Sequence, residues 1–205
     1  MGSRTTASGA DPQRAMAAGG RPADDMDFIS VDDGGSFAYE PSPQAAAGDF
    51  EYAGEAACIV DRQGNNYPLR VHGPGGKALG PSLEKADLAW MRRAWHAAQS
   101  REPRRYPLIR REPDSDLDFL GSLFEVLTLL QAAPSAVGSW TVDLDGRDYK
   151  VESIQDLNVL LEREGLTVAA VEDPYGHLYR PERRSEHALL PGERHFVLYR
   201  EVGRG

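Results

Sequence analysis

Residues 142–151 read VDLDGRDYKV, and residues 60–69, which begin 82 positions earlier, read VDRQGNNYPL. Both stretches follow the pattern Val-Asp-x-x-Gly-x-Asn/Asp-Tyr-x-apolar. Apolar residues alternate on either side of a glycine-containing turn, which is typical of a β-hairpin, and Asp145-Gly146 is a favourable two-residue hairpin loop. The sequence therefore predicts two β-hairpins, and their shared pattern favours a duplicated module.

A helix is predicted after each hairpin. After the first, Ser82 is a candidate N-cap for a helical pattern that reaches about Gln99. After the second, Ser153 and Asp156 have the spacing of a capping box, and Gly165 is a candidate helix stop. We thus expect two hairpin-helix (ββα) units.

The stretch 117–131, LDFLGSLFEVLTLLQ, lies between the two units. At 100° per residue its apolar side chains cover a wide arc, and Asp118 and Glu125 lie on the narrow polar side. Such a wide apolar arc is typical of a largely buried helix. We expect this helix to join both units in one core.

These elements predict an α+β fold with two units, residues 51–132 and residues 138–202. The second unit continues after its helix into further strand-like segments, with a turn at Asp173-Pro174-Tyr175-Gly176. Hairpin, short helix and further strands follow one another in this order in a β-grasp, or ubiquitin-like, roll. The β-grasp assignment is a fold analogy drawn from element order alone.

The first 50 residues are predicted to form an acidic tail, with 3 basic and 8 acidic side chains. Residues 1–26 are rich in Gly, Ala, Ser and Pro and show no hydrophobic period, so we expect disorder there. Residues 27–40 differ because Phe28 and Ile29 stand among acidic residues. This segment can bind a partner, or it can lie back on its own domain as an edge strand.

Composition excludes several classes of protein. The chain has 205 residues, a formal charge of −9, 40% hydrophobic and 27% charged residues, and one cysteine. These values are typical of a globular chain, and one cysteine excludes an internal disulfide or a multi-cysteine zinc site. No apolar stretch has the length of a membrane span, and no signal-peptide core is present near the start. We expect a soluble, cytoplasmic protein from a GC-rich bacterial genome, since arginine outnumbers lysine 20 to 3.

No motif predicts a catalytic residue, a metal ligand or a cofactor site. The five histidines lack any fixed ligand spacing, and no nucleophile, base and orienting group can be named together. We therefore expect a protein without catalytic activity, and the alternative of an enzyme with an unrecognised site stays open.

The strongest local charge signal is the segment 101–111, REPRRYPLIRR. Its cations could bind phosphates, and its tyrosine could stack on a base. Against this, the chain as a whole is acidic. A second hypothesis is that the aspartates of residues 24–33 dock on this segment. The candidate binding residues here are Arg104, Arg105, Tyr106, Arg110 and Arg111.

Trp90 and Trp95 lie on the predicted helix after the first hairpin, near opposite margins of its apolar arc. Exposed tryptophan is common at protein interfaces, although core packing is the simpler interpretation. Together these features predict an adaptor or regulator that binds another protein through a sheet edge, this helix and the acidic tail. The main alternative is a binder of nucleic acid or another polyanion through residues 101–111.

Overall fold

A computed structural model describes residues 26–73, 76–164, 170–185 and 195–204. Within these residues the chain is a mixed α+β protein, as predicted. Its helices are α1 (Pro43–Gly48), α2 (Leu88–Arg101), α3 (Asp116–Gln131) and α4 (Ile154–Glu164). Its strands are β1 (Phe28–Asp32), β2 (Phe37–Glu40), β3 (Ala56–Asp61), β4 (Asn65–Asn66), β5 (Leu69–His72), β6 (Gly76–Leu79), β7 (Glu84–Lys85), β8 (Leu108–Ile109), β9 (Trp140–Leu144), β10 (Arg147–Val151), β11 (Ala170–Glu172), β12 (His177–Ser185) and β13 (His195–Arg204).

The strands form two main sheets and a separate hairpin. The first sheet has the order β2-β1-β3-β4-β7, the second has the order β10-β9-β11-β12-β13-β8, and β5 pairs with β6. All pairs are antiparallel except that of β8 with β13. No helix in the described ranges is long and apolar enough to cross a membrane.

The two similar stretches form hairpins in different surroundings. β9 and β10 join through Asp145 and Gly146, whose φ angles of 51° and 78° are those of the predicted tight loop. β3 instead turns into the two-residue β4, and three more strands precede α2. The duplication is not confirmed. Nor is the β-grasp roll confirmed: among the described residues β9 pairs with β10 and β11, both antiparallel.

Two of the three predicted helices begin where the sequence places them. Ser115 caps α3 by accepting a hydrogen bond from the backbone N–H of Asp118, and Ser153 caps α4 in the same way. The third expectation is wrong, because α2 begins at Leu88 rather than after Ser82. Asp87 is its N-cap, and the preceding residues pair as β7 with β4. The predicted stop at residue 165 lies outside the described residues.

One hydrophobic cluster connects the two main sheets with α2, α3 and α4. α3 contributes eight buried side chains, which confirms the prediction of a buried helix. A smaller cluster on the other face of the first sheet contains Phe28, Ala46, Phe50 and Ile59. The chain thus has a shared core, and α3 packs at its centre.

The segment 27–40 lies back on its own domain. β1 pairs with β2 on one side and β3 on the other, so both of its edges are occupied. The outer edge of β2 is closed by side chains: the Tyr106 hydroxyl accepts from Phe37 N at 2.8 Å, and Gln131 Oε1 accepts from Tyr39 N at 2.7 Å. This edge is therefore unavailable for an added strand. The remainder of the predicted tail, residues 1–25, lies outside the described residues.

Candidate functional site

Four residues predicted to bind a partner are buried in the structure. Phe28 and Ile29 point to opposite faces of β1, and both faces are covered, by the smaller and the larger cluster. Trp95 packs edge-on against Phe37 and against Tyr106, with ring centroids 5.3 and 5.0 Å apart. Their burial places these four side chains in the core rather than on an accessible surface.

The remaining predicted residues do not form one continuous surface. Trp90 is half-buried beside β7. The Arg104 guanidinium lies 5.5 Å from the Phe196 ring centroid, and Arg105 pairs with Glu102 at 3.3 Å. Arg111 donates to the Val202 carbonyl at 2.6 Å.

Asp27 and Asp32 make contacts other than those expected if the aspartates of the tail docked on residues 101–111. Asp27 pairs with Arg62 at 2.6 Å, rather than with the segment 101–111. Asp32 accepts from Ser36 N at 2.7 Å within its own hairpin turn. Contacts through the backbone of the β1–β2 hairpin do link the two regions: Arg101 donates to the Gly35 carbonyl at 3.2 Å, and the Tyr106 hydroxyl accepts from Phe37 N.

Arg110 belongs to a buried polar network that connects β8, α3 and the second sheet. Its side chain is 5% exposed and donates to Asp173 Oδ2 and to the Tyr179 hydroxyl, each at 2.9 Å. Tyr179 in turn donates to Asp173 Oδ2 at 2.9 Å, and a further Arg110 nitrogen bonds Glu125. Burying an ion pair is costly unless its remaining hydrogen bonds are satisfied, and here they are.

The turn between β11 and β12 positions both Asp173 and His177. Asp173 Oδ1 accepts from the backbone N–H groups of Tyr175 at 2.8 Å and His177 at 3.0 Å. Gly176 has a φ of 82°, a left-handed conformation that glycine adopts without strain. The aspartate therefore shapes the turn with one oxygen and holds Arg110 with the other.

His177 is buried at the edge of this network, between two carboxylates. Its Nδ1 lies 2.9 Å from Glu201 Oε1, and its Nε2 lies 3.3 Å from Glu125 Oε2 and 3.2 Å from Arg204 Nη2. Nε2 can donate to Glu125 only when protonated, and it can accept from Arg204 only when unprotonated. Nε2 can therefore bond only one of these two neighbours at a time, depending on whether it carries the hydrogen.

The surroundings shift the pKa values of three of these groups. Burial acts to raise the pKa of Glu201, but hydrogen bonds from His177 and from Arg111 N outweigh it and hold this pKa below its ordinary value. Burial raises the pKa of Tyr179 far above its usual range. For Arg110, burial acts to lower the pKa, but Tyr179 and Asp173 outweigh it, so the guanidinium stays charged.

The network forms the floor of an open cavity of about 420 Å³, which we call the acidic pocket. Three arginines and five carboxylates line it, a formal charge of −2 with His177 neutral. At its mouth Leu117 is 66% exposed. The charged lining residues are Arg110, Arg111, Glu112, Asp114, Asp118, Glu125, Glu201 and Arg204.

The pocket has a charged lining, but its described residues lack the arrangement of a nucleophilic site. Ser122, the hydroxyl among its described lining residues, accepts from Arg110 at 3.5 Å and makes no hydrogen bond to His177. In the described part of the chain no group of three or more His, Cys, Asp or Glu residues is placed to hold a metal ion.

Sequence reasoning missed His177, Asp173, Glu125 and Glu201. One signal was available, because Glu125 is an acidic residue in the middle of an otherwise apolar helix and a buried charge needs a partner. The partners could not be found in the sequence, since Arg110 lies 15 residues before Glu125 and His177 lies 52 residues after it.

Comparison of this chain with protein-family models, with curated proteins and with solved structures found no match.

Proposed function

We propose that this chain is a non-catalytic interaction protein, and that a positively charged segment of a partner protein docks in the acidic pocket. The observation that carries this proposal is the combination of an open cavity of about 420 Å³ with an excess of carboxylates over arginines in its lining. This volume lies in the range of ordinary ligand pockets.

The charges of the lining residues favour a cationic occupant. Arg110 is already neutralised by Asp173 and Glu125, so it has little capacity left for an anion. Asp114 and Asp118 stand exposed beside the mouth. A guanidinium or ammonium group in the pocket would form ion pairs and hydrogen bonds with these carboxylates. It would also take the place of the Arg204 guanidinium, which now contacts His177.

A protein partner is favoured over a small cation by the exposed Leu117. Arginine and lysine side chains pack their aliphatic stems on apolar surface while their charged ends contact carboxylates. The formal charge of −9 on the whole chain would also increase the rate of encounter with a basic partner.

Absence of catalysis is part of the proposal and rests on His177. A general base needs a free ring nitrogen that faces the reacting group. Nε2 of His177 instead contacts Glu125 and Arg204. The proposal requires neither a β-grasp roll nor a duplicated unit, and it assigns docking to the pocket rather than to the closed edge of β2.

The test is a fluorescence anisotropy titration of the full chain with a labelled ten-residue peptide of alternating arginine and leucine. The same peptide with glutamate in place of arginine is the charge control. We expect binding of the arginine peptide alone, weakened about 2- to 30-fold by the double variant Asp114→Asn/Asp118→Asn, since each exposed ion pair contributes about 0.2–1 kcal/mol. Leu117→Ser should weaken it further.

Matched controls change the same residue types elsewhere. Asp148→Asn alters an exposed acid on β10, and Val159→Ser alters an apolar side chain of α4 that is as exposed as Leu117. Neither should change the affinity. Equal binding of the glutamate peptide, or equal losses in the control and pocket variants, would contradict the proposal.

A further inference from the structure

A second charged surface lies on β12 and β13 and consists of residues that do not line the acidic pocket. Arg180 and Arg200 are direct cross-strand partners, and Arg184 lies four residues from Arg180 on the same side of β12. All three are exposed. We call these three residues the arginine face.

The arginine face has one carboxylate for three cations. Glu182 lies between the arginines and pairs with Arg184 at 2.7 Å and with Arg200 at 3.1 Å. These hydrogen bonds lower the pKa of Glu182. Arg180 has no ion-pair partner among the described residues, and it stands directly opposite Arg200.

Like charges directly opposite each other destabilise a pair of strands. The register therefore places two like charges opposite each other on an exposed sheet surface, a repulsion that Glu182 reduces through its ion pair with Arg200. An anion bridging the two guanidinium groups would relieve it, and phosphate accepts such bidentate hydrogen bonds well.

An aromatic side chain lies at the edge of the arginine face. Phe196 is the cross-strand partner of Arg184, and it is only partly buried. It lines an open cleft of about 260 Å³ together with Arg183 and Arg104, whose guanidinium lies 5.5 Å from the Phe196 ring centroid. A partly exposed aromatic ring beside a row of cations on a sheet is the arrangement on which single-stranded nucleic acids stack their bases.

We propose that the arginine face binds the phosphate backbone of single-stranded nucleic acid, with a base placed against Phe196. The three cations lie on both strands. Cross-strand partners such as Arg180 and Arg200 lie about 5 Å apart, and residues four positions apart, such as Arg180 and Arg184, lie about 13 Å apart. The site differs from the sequence-based expectation of a polyanion site at residues 101–111. Of that segment, Arg104 and Pro107 line the cleft.

The first measurement is the anisotropy of a labelled 20-nucleotide oligo(dT) titrated with the full chain at 50 and 200 mM salt. Three phosphate contacts predict a slope of about −2 in log affinity against log salt, which is about a 20-fold loss of affinity over this range. The triple variant Arg180→Gln/Arg184→Gln/Arg200→Gln should lose binding and this salt dependence.

A matched control removes the same charge elsewhere. The triple variant Arg147→Gln/Lys150→Gln/Arg163→Gln changes three exposed cations on β10 and α4. It should keep the oligonucleotide affinity within about twofold, because charges beyond the Debye length of about 10 Å are largely screened.

Glu182→Gln provides a variant with the opposite effect. Removing the competing carboxylate should raise the affinity for oligo(dT) about fivefold at 50 mM salt. Because the change keeps the shape of the side chain, a gain of affinity is measurable even if the triple variant of the arginine face fails to fold.

Several outcomes would overturn the inference. They are unchanged affinity in Glu182→Gln, equal losses in the two triple variants, stronger binding to a 20-base-pair duplex, or stronger binding to vesicles containing 30% phosphatidylserine. The result is separable from the proposed function, since variants of the arginine face should leave binding of the arginine-leucine peptide unchanged.

Discussion

Replacing Arg110 with methionine tests whether the buried network depends on its central cation. The Asp173 side chain is 0% exposed, and the two groups meet at 2.9 Å. In Arg110→Met the aspartate keeps its hydrogen bonds from Tyr179 and from two backbone N–H groups but loses its counter-charge. Breaking a buried pair by removing one partner costs about 3–5 kcal/mol. We expect the free energy of unfolding at pH 7 to fall by that amount.

The second variant, Arg110→Met/Asp173→Asn, separates loss of packing from loss of charge compensation. Asparagine has the size of aspartate but carries no charge, so we expect the double variant to recover about 2 kcal/mol or more of the lost stability. Urea denaturation followed by tryptophan fluorescence gives each value. Arg163→Met, at an exposed ion pair, is the control and should change stability by less than about 0.5 kcal/mol. A loss below about 1 kcal/mol in Arg110→Met, or a double variant less stable than the single one, would refute the reasoning.

Two further predictions concern the first sheet. Burial raises the pKa of Glu40 from 4.5 to about 6 and outweighs the opposite effect of a hydrogen bond from Ser30. The charged form of Glu40 is therefore disfavoured in the folded protein, and the wild-type protein gains stability as the pH falls through 6. Glu40→Gln should therefore stabilise the protein by about 2 kcal/mol at pH 8 and by almost nothing at pH 4.5; an equal effect at both pH values in urea titrations would contradict this. Tyr106→Phe leaves the buried N–H of Phe37 without its acceptor and should cost about 1–3 kcal/mol in the same assay, whereas Tyr149→Phe on β10 should cost little.

The sequence predicted those elements that local interactions determine. The Asp145-Gly146 loop needs only two residues that tolerate positive φ, and the cap of α4 needs only Ser153 beside the N–H of Asp156. The apolar arc of α3 likewise predicts its own burial. In each case the interacting groups lie within a few positions of one another, so the pattern of residues contains the information.

The expectations that failed depend on contacts distant in sequence. Phe28 and Ile29 look like an exposed binding segment until the smaller and the larger hydrophobic cluster cover the two faces of their strand. Tyr106 lies among arginines, but its hydroxyl bonds Phe37, which lies 69 residues earlier. Helix α2 starts late because residues before it pair with β4, and this long-range pairing overrides the local signal at Ser82.

Arg110 shows the same limit for the candidate site. Its segment contains five arginines within eleven residues, which predicts one solvated cluster. The fold instead buries Arg110 against Asp173 and leaves its neighbours to separate partners. A cluster of arginines in the sequence therefore did not predict a cluster of arginines on the surface. Asp173 of the second sheet pairs with Arg110 in the interior, and Arg110 is thereby removed from the accessible cations.

The two proposed surfaces are related by the strands that carry them. His177 and Arg204 of the acidic pocket pair at one end of the β12–β13 ladder, and the arginine face follows along the same ladder with Arg180 opposite Arg200 and then Arg184. His177 lies three residues from Arg180, about 10 Å along an extended strand, and seven residues from Arg184, about 23 Å. The shorter of these distances is close to the Debye length of about 8 Å at physiological ionic strength, so direct electrostatic coupling between the sites is partly screened. Arg200 is followed directly by Glu201 of the acidic pocket, and successive residues of a strand point to opposite faces of the sheet. The two surfaces therefore face opposite sides of β13, and the two ligands can occupy the chain at the same time.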